Sequence, residues 1–167
     1  MIARLRGLLG GTDLRRRLAA VPGTLPASTV VSIALDLGPG DADWLALIPD
    51  QGDYWYWAQP ARGDHRLGLG QALGLASAGR QRFAALDHGF AGIAGHWHAA
   101  PGAQAFLGFA FDEGGDGELP NAQLAVPTLL LRSHQGRGSA VLSATAGELP
   151  QLPERLAALL GPRRPPA

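Results

Sequence analysis

Residues 83–111 place the tightest constraint on the fold. Phe83, Leu86, Phe90, Ile93 and Trp97 recur at i, i+3, i+7, i+10 and i+14, an apolar stripe along one helical face. A break with Pro101 and Gly102 follows. In residues 104–112, QAFLGFAFD, Ala105, Leu107, Phe109 and Phe111 then alternate with Phe106, Gly108 and Ala110. Apolar residues on both faces predict a strand buried on both sides, the centre of a core with which other strands pair. Gly108 leaves room for another group to approach closely.

The rest of the chain predicts partners for that strand. Residues 29–37 are rich in β-branched and apolar side chains and read as a strand. Residues 44–48 fit a short strand or a helical turn equally well. Residues 54–58, YWYWA, are a β-prone run. Residues 59–65 read as a hairpin loop and 66–76 as one strand. Ser77 is a candidate cap for the organising helix. Residues 123–132 read as a strand in which Pro127 argues for an edge or a bulge, 134–138 as a turn, and 139–145 as the return strand. Residues 2–20 predict one or two short amphipathic helices, broken at Gly10 and Gly11, with Asp13 able to cap the second. Residues 150–160 predict a short helix with Pro153 near its start.

This pattern is α+β: a mostly antiparallel sheet with one main packed helix. The organisation expected is an N-terminal helical segment and loop over 1–28, an α+β lobe over 29–148, and a short helix with a Pro/Arg tail over 149–167. At 167 residues the chain is one domain or one lobe of something larger.

Composition excludes several chemistries. Fourteen acidic residues balance fourteen basic ones, so the whole chain has no attraction to nucleic acid or anionic lipid. All fourteen basic residues are Arg. Without Lys, a lysine base or Schiff base within this chain is impossible. Without Cys, disulfides, thiolate nucleophiles and Cys-ligated zinc are excluded as well. No window approaches the ~18 consecutive apolar residues of a membrane span. The N-terminal stretch lacks the form of a signal peptide, with Arg15, Arg16 and Arg17 where cleavage would fall, so the cytoplasm is the expected compartment.

The candidate sites are few. Tyr54, Trp55, Tyr56 and Trp57 could cradle a ring-shaped ligand, or fill a core and cross-strand pairs. Gly68 and Gly70 sit in GLGQALG, whose spacing is not that of a dinucleotide-binding loop. His96 and His98 are a metal-like pair on a strand but share no face at a helix end, where a histidine instead suits the macrodipole. Asp112, Glu113, Asp116 and Glu118 could meet Mg²⁺ or Ca²⁺, yet lack the alternation of an EF-hand. Ser32, Ser77, Ser133, Ser139 and Ser143 stand in no G-x-S-x-G elbow. Arg4, Arg6, Arg15, Arg16 and Arg17 make a local basic patch or a solvated helix face. From the residues alone, no catalytic, cofactor-binding or metal residue is assigned.

The order of these signals resembles the N-terminal portion of isochorismate synthases, in the chorismate-utilising enzyme family. The aromatics at 54–57, G-x-G-x-A at 68–72, RFAAL at 82–86, GFAFD at 108–112 and the LAVPTLLL strand at 124–131 carry the resemblance, which runs from about residue 29 to 145. It implies half of an α/β/β/α fold and, in a complete enzyme only, Mg²⁺-dependent conversion of chorismate to isochorismate for menaquinone, siderophore or salicylate synthesis. In that family a lysine activates water, a glutamate is the general acid, and further glutamates hold the metal, all in the C-terminal half. This sequence has no Lys and only Glu113, Glu118, Glu148 and Glu154, none in a matching context. The resemblance therefore implies a lobe inactive alone, a split-enzyme subunit or the product of a truncated gene. Its exposed sheet face would meet a separate catalytic half or a second copy. A non-catalytic binding or interaction domain derived from the fold is the alternative. A metal hydrolase using His96 and His98 is a third.

Overall fold

The computed structural model describes residues 1–40, 43–49, 52–111 and 120–161. The fold is α+β with two antiparallel sheets. The first holds β1 (Val30–Pro39), β2 (Tyr54–Gln59), β3 (Asp64–Leu69), β7 (Leu129–His134) and β8 (Arg137–Thr145), in the order β1-β8-β7-β3-β2. The second holds β4 (Leu73–Ser77), β5 (Phe106–Phe109) and β6 (Ala122–Val126), in the order β4-β6-β5. The helices are α1 (Ile2–Leu9), α2 (Thr12–Ala19), α3 (Arg82–Ala94) and α4 (Leu152–Leu159).

Alternation along the strands sets the main core. Ile33, Leu35 and Leu37 of β1, Leu67 and Leu69 of β3, Leu129 and Leu131 of β7 and Leu142 of β8 share one face of the large sheet. Leu5 of α1, Leu14 of α2 and Leu152 and Leu156 of α4 close over it. The short N- and C-terminal helices, too short to be stable in water by themselves, are held by this burial. Arg155 of α4 adds a polar tie, donating to Glu148 at 3.1 Å and to the Gln71 carbonyl at 2.9 Å. No helix among the described residues is long and apolar enough to cross a membrane.

The two long strands expected over 66–76 and 123–132 each prove to be two strands in different sheets. Both turn at the same corner. Gly70 takes a left-handed φ of +61° there, a conformation glycine adopts without the steric penalty of a Cβ. Opposite it, Pro127 interrupts the ladder because it has no N–H to donate. Three residues, 70–72, face two, 127 and 128, across the bend. A bend of this kind is how strands switch sheets. Ser77 is the last residue of β4 and does not cap the helix: α3 starts at Arg82, with Gln81 at the N-cap position and no side-chain cap.

The strand expected at the centre of the core is instead an edge. β5 pairs only with β6 among the described residues, and Leu107 and Phe109 are half exposed. Its other face does fit the expectation, since Phe106 stacks on Trp55 at 5.9 Å. The periodicity of α3 holds to Ala94. Trp97 lies beyond it, its Nε1 donating to Ser32 Oγ (2.9 Å), which in turn shares a hydrogen bond with Ser143 Oγ (2.8 Å). This buried relay pins the chain after α3 to the large sheet, where His98 bridges Val31. Residues 44–47 resolve as a 3-10 turn, capped by the Asp43 carboxylate at Leu45 N–H. The hairpin at 135–136 has Gln135 and Gly136 both at positive φ, the two-residue turn that matches strand twist.

Candidate functional site

The aromatic strand β2 presents its side chains in two rows. Trp55 and Trp57 lie on the face opposite the main core, paired with Gly68 and Arg66 of β3. Tyr54 and Tyr56 lie on the other face, and the Tyr56 hydroxyl meets His65 Nδ1 at 3.0 Å. The stacking surface of Trp55 is filled by the protein's own Phe106. Gly68 makes this possible: a Cβ there would stand 2.9 Å from Phe106 Cε2. Gly108 does the same on β5, where a Cβ would lie 3.1 Å from Trp55. Gly68 and Gly70 thus serve packing and the corner, and neither opens a helix.

Trp57 begins a polar row that crosses the sheet. Arg66 of β3 lies over its ring at 4.5 Å, within cation–π range. Arg132 of β7 is the direct cross-strand partner of Arg66, and Ser139 of β8 that of Arg132. Two arginines facing each other repel. Asp64, buried on β3, offsets this by accepting from Arg66 Nη2 at 2.9 Å, with His134 Nδ1 at 3.9 Å. The Arg66 hydrogen bond holds the Asp64 carboxyl below the usual range; burial opposes it, and the charges of Arg66, His134 and Arg132 reinforce it.

A depressed carboxyl contributes stability above the unfolded carboxyl range and loses it as pH falls through the folded value. Asp64→Asn is therefore expected to cost about 1–3 kcal/mol near neutral pH. Urea titrations of both proteins at falling pH check this: the difference should shrink below pH ~4, where the unfolded-state carboxyl protonates. A constant difference would remove the ion pair from the explanation.

The other candidates are dispersed. His96 Nδ1 meets the Gly92 carbonyl at 3.1 Å, a helix-end contact. No group of three or more His, Asp or Glu side chains that could hold a metal comes together among the described residues. The acidic stretch with Asp112, Glu113, Asp116 and Glu118 lies outside the described residues. Of the serines, Ser32 and Ser143 belong to the buried relay. Arg16 and Arg17 are paired with Asp13 on α2, and Arg17 also donates to the Ala34 carbonyl. Grooves of about 420 Å³ between α1, α2 and α4 and about 480 Å³ beside α3 and β4 have mainly apolar linings.

Exposed apolar side chains gather in an aromatic ladder at β5. Phe83 of α3 meets Phe109 edge-on at 5.3 Å, and Phe109 meets Phe111 at 6.0 Å. Exposure is 45% at Phe83, 55% at Leu107, 50% at Phe109 and 98% at Phe111. Beneath it Arg82 is buried over the Phe83 ring, donating to the carbonyls of Gly79 and Ala110. The sequence pattern held the apolar residues of this face but not their exposure. The loop reading of residues 59–65 hid Asp64, and the Arg66–Arg132 pairing depends on the register between β3 and β7. The alternation of Asp64, Arg66 and Gly68 with the apolar Leu67 and Leu69 was the available signal for a strand starting at Asp64.

No family model matches the sequence, and no curated protein sequence does. Among solved structures, the fold is similar to MenF, the menaquinone-specific isochorismate synthase from Escherichia coli, with a TM-score of 0.62 and 20% identity. The chain resembles part of an isochorismate synthase. The match covers 98% of this chain and 36% of that enzyme. At this identity the likeness speaks to architecture, and the chain spans about a third of the enzyme's length.

Proposed function

We propose that this chain is a non-catalytic lobe of an isochorismate-synthase-type enzyme, inactive alone, which acts on chorismate only together with the catalytic part of that fold. The observation that carries the reading is the likeness of fold to MenF, which extends over 98% of this chain at a TM-score of 0.62. The absence of Lys supports it, since the lysine expected to activate water has no counterpart in this sequence. The described glutamates support it too. Glu148 is engaged by Thr145 and Arg155, and Glu154 lies in the first turn of α4, where a negative charge suits the helix dipole. In this reading Mg²⁺ belongs to the catalytic part of the fold. Menaquinone synthesis is the route named for the structural neighbour and the first to consider; siderophore and salicylate synthesis use the same product.

The purified chain, given chorismate and Mg²⁺ and followed by chromatography, is expected to form no isochorismate above the protein-free blank. Turnover by the chain alone would place a catalytic site within it and overturn the reading.

A second reading, a ligand-binding domain, draws on Trp57 and the Arg66–Arg132 pair. An aromatic face beside two guanidinium groups suits a ring-bearing carboxylic acid.

A further inference from the structure

Among the described residues, the face of the large sheet opposite the main core carries one cation without a counter-charge. The strand registers set Asp36 of β1, Ser139 of β8, Arg132 of β7, Arg66 of β3 and Trp57 of β2 in a single row across it. His134 and Asp64 stand in the next row, with Arg137 beside His134. Most of these charges cancel. Arg137 meets Asp36 at 3.5 Å. Arg66 meets Asp64 at 2.9 Å, and His134 lies against the same carboxylate at 3.9 Å. Arg132 is the remainder. Among the described residues it has neither a hydrogen bond nor an ion pair, and its Nε is buried. Directly opposite side chains stand about 5 Å apart, so Arg132 also faces the like charge of Arg66, whose Nε is buried and unpartnered as well. A partly buried charge without a partner is costly. The turn from Ala100 to Ala103 keeps Arg132 in place. Ala103 N–H donates to the Ala100 carbonyl at 3.0 Å, Gly102 takes a φ of +82°, and a Cβ there would stand 2.9 Å from Arg132 Nη1. Neither arginine is sealed off: Arg66 keeps 27% of its side chain exposed, and Arg132 is partly exposed.

We propose that Arg132 and Arg66, with Ser139 on one side and Trp57 on the other, form a binding site for a small monocarboxylic acid that carries a planar ring. This deepens the second reading above and involves no catalysis. A carboxylate set between the two guanidiniums supplies the missing negative charge. It also replaces a like-charge repulsion by charge-assisted hydrogen bonds, for which the planar guanidinium fork is suited. One charge is what is missing, because Asp64 already neutralises Arg66; a monoanion therefore fits the site better than a dianion. The Ser139 hydroxyl, on the direct cross-strand partner of Arg132, offers a further donor in the same row. The ring is assigned from Trp57. Its indole carries the Arg66 guanidinium at 4.5 Å and is still 41% exposed, so a flat apolar surface adjoins the paired cations. A planar ring joined to the carboxylate covers that surface while its charge is held by the arginines.

The test is equilibrium dialysis of the full chain against radiolabelled benzoate near neutral pH, with benzamide, acetate and inorganic phosphate as competitors. The expected result is one saturable site per chain. Unlabelled benzoate should compete at least tenfold better than benzamide, which lacks the charge, than acetate, which lacks the ring, and than phosphate. Arg132→Gln should weaken benzoate binding at least tenfold while the melting temperature stays unchanged or rises, because the substitution removes a repelling charge and no hydrogen bond. Trp57→Ala should abolish the preference for benzoate over acetate. Arg15→Gln, on α2, should bind benzoate as the unaltered chain does. Absence of saturable binding, or Arg132→Gln binding benzoate as tightly as the unaltered chain, would overturn the proposal. Phosphate competing as well as benzoate would make the pair a general oxyanion site and overturn the assignment of a ring-bearing acid. The lobe reading is decided separately by chorismate turnover, so the failure of either leaves the other standing.

Discussion

Leu131→Ala is expected to destabilise the protein by about 3–5 kcal/mol. Leu131 is fully buried in β7, an inner strand between β8 and β3. Its cross-strand neighbours are Leu67 and Ala140, and the layer above is formed by α1, α2 and α4. Truncation removes apolar contact and leaves a cavity that a sheet locked on both sides closes poorly. Against a typical total of about 5–15 kcal/mol, this is a large share. Urea unfolding should show a lower midpoint at unchanged slope. Leu107→Ala, at a half-exposed edge, should shift it by less than about 0.5 kcal/mol. Equal costs at the two positions would contradict the assignment of the main core to the α1/α2/α4 side of the large sheet.

Gly68→Val is expected to cost about 1–3 kcal/mol or more, through overpacking rather than backbone strain. A Cβ at 68 would meet Phe106 Cε2 at 2.9 Å and Pro127 Cβ at 3.0 Å. Pro127 cannot yield without moving the corner where both strands change sheets. Phe106 cannot yield without leaving Trp55. The substitution should therefore alter the near-UV circular dichroism of the tryptophans as well as the urea midpoint, with Gly68→Ala intermediate. Gly92→Ala is the matched control: it lies in α3 with nothing within 4 Å of a Cβ, and should stabilise by about 0.5–1 kcal/mol. A Gly68→Val protein with native stability and spectrum would mean that the two sheets do not meet as described.

These two residues also mark what the amino-acid pattern could convey. β1, β2 and β8 were legible because β-branched and aromatic side chains recur in them, and α3 because its stripe follows the helical period. The corner was not. Residues 66–76 and 123–132 remain strand-like across the bend, so only Gly70 and Pro127 mark it, and Pro127 equally suits an edge or a bulge. Phe106 to Phe111 are apolar on both faces, and alternation reports polarity, not whether a neighbour covers the face. One face of β5 meets Trp55; the other is open. The Arg66–Arg132 row required the pairing register, which depends on contacts between strands more than sixty residues apart in sequence. For catalysis, the sequence offered an exclusion, the missing Lys, and the α+β fold is like part of an isochorismate synthase, the architecture that the short words in order implied.

The most direct measurement is reconstitution. This chain is co-expressed with the part of MenF to which it has no counterpart, purified as a mixture, and given chorismate and Mg²⁺. Isochorismate formed by the mixture, and by neither component separately, is the result expected of a lobe completed by its catalytic partner. Equal turnover with and without this chain, or none in a mixture that co-purifies as a complex, would show that it does not serve as that lobe.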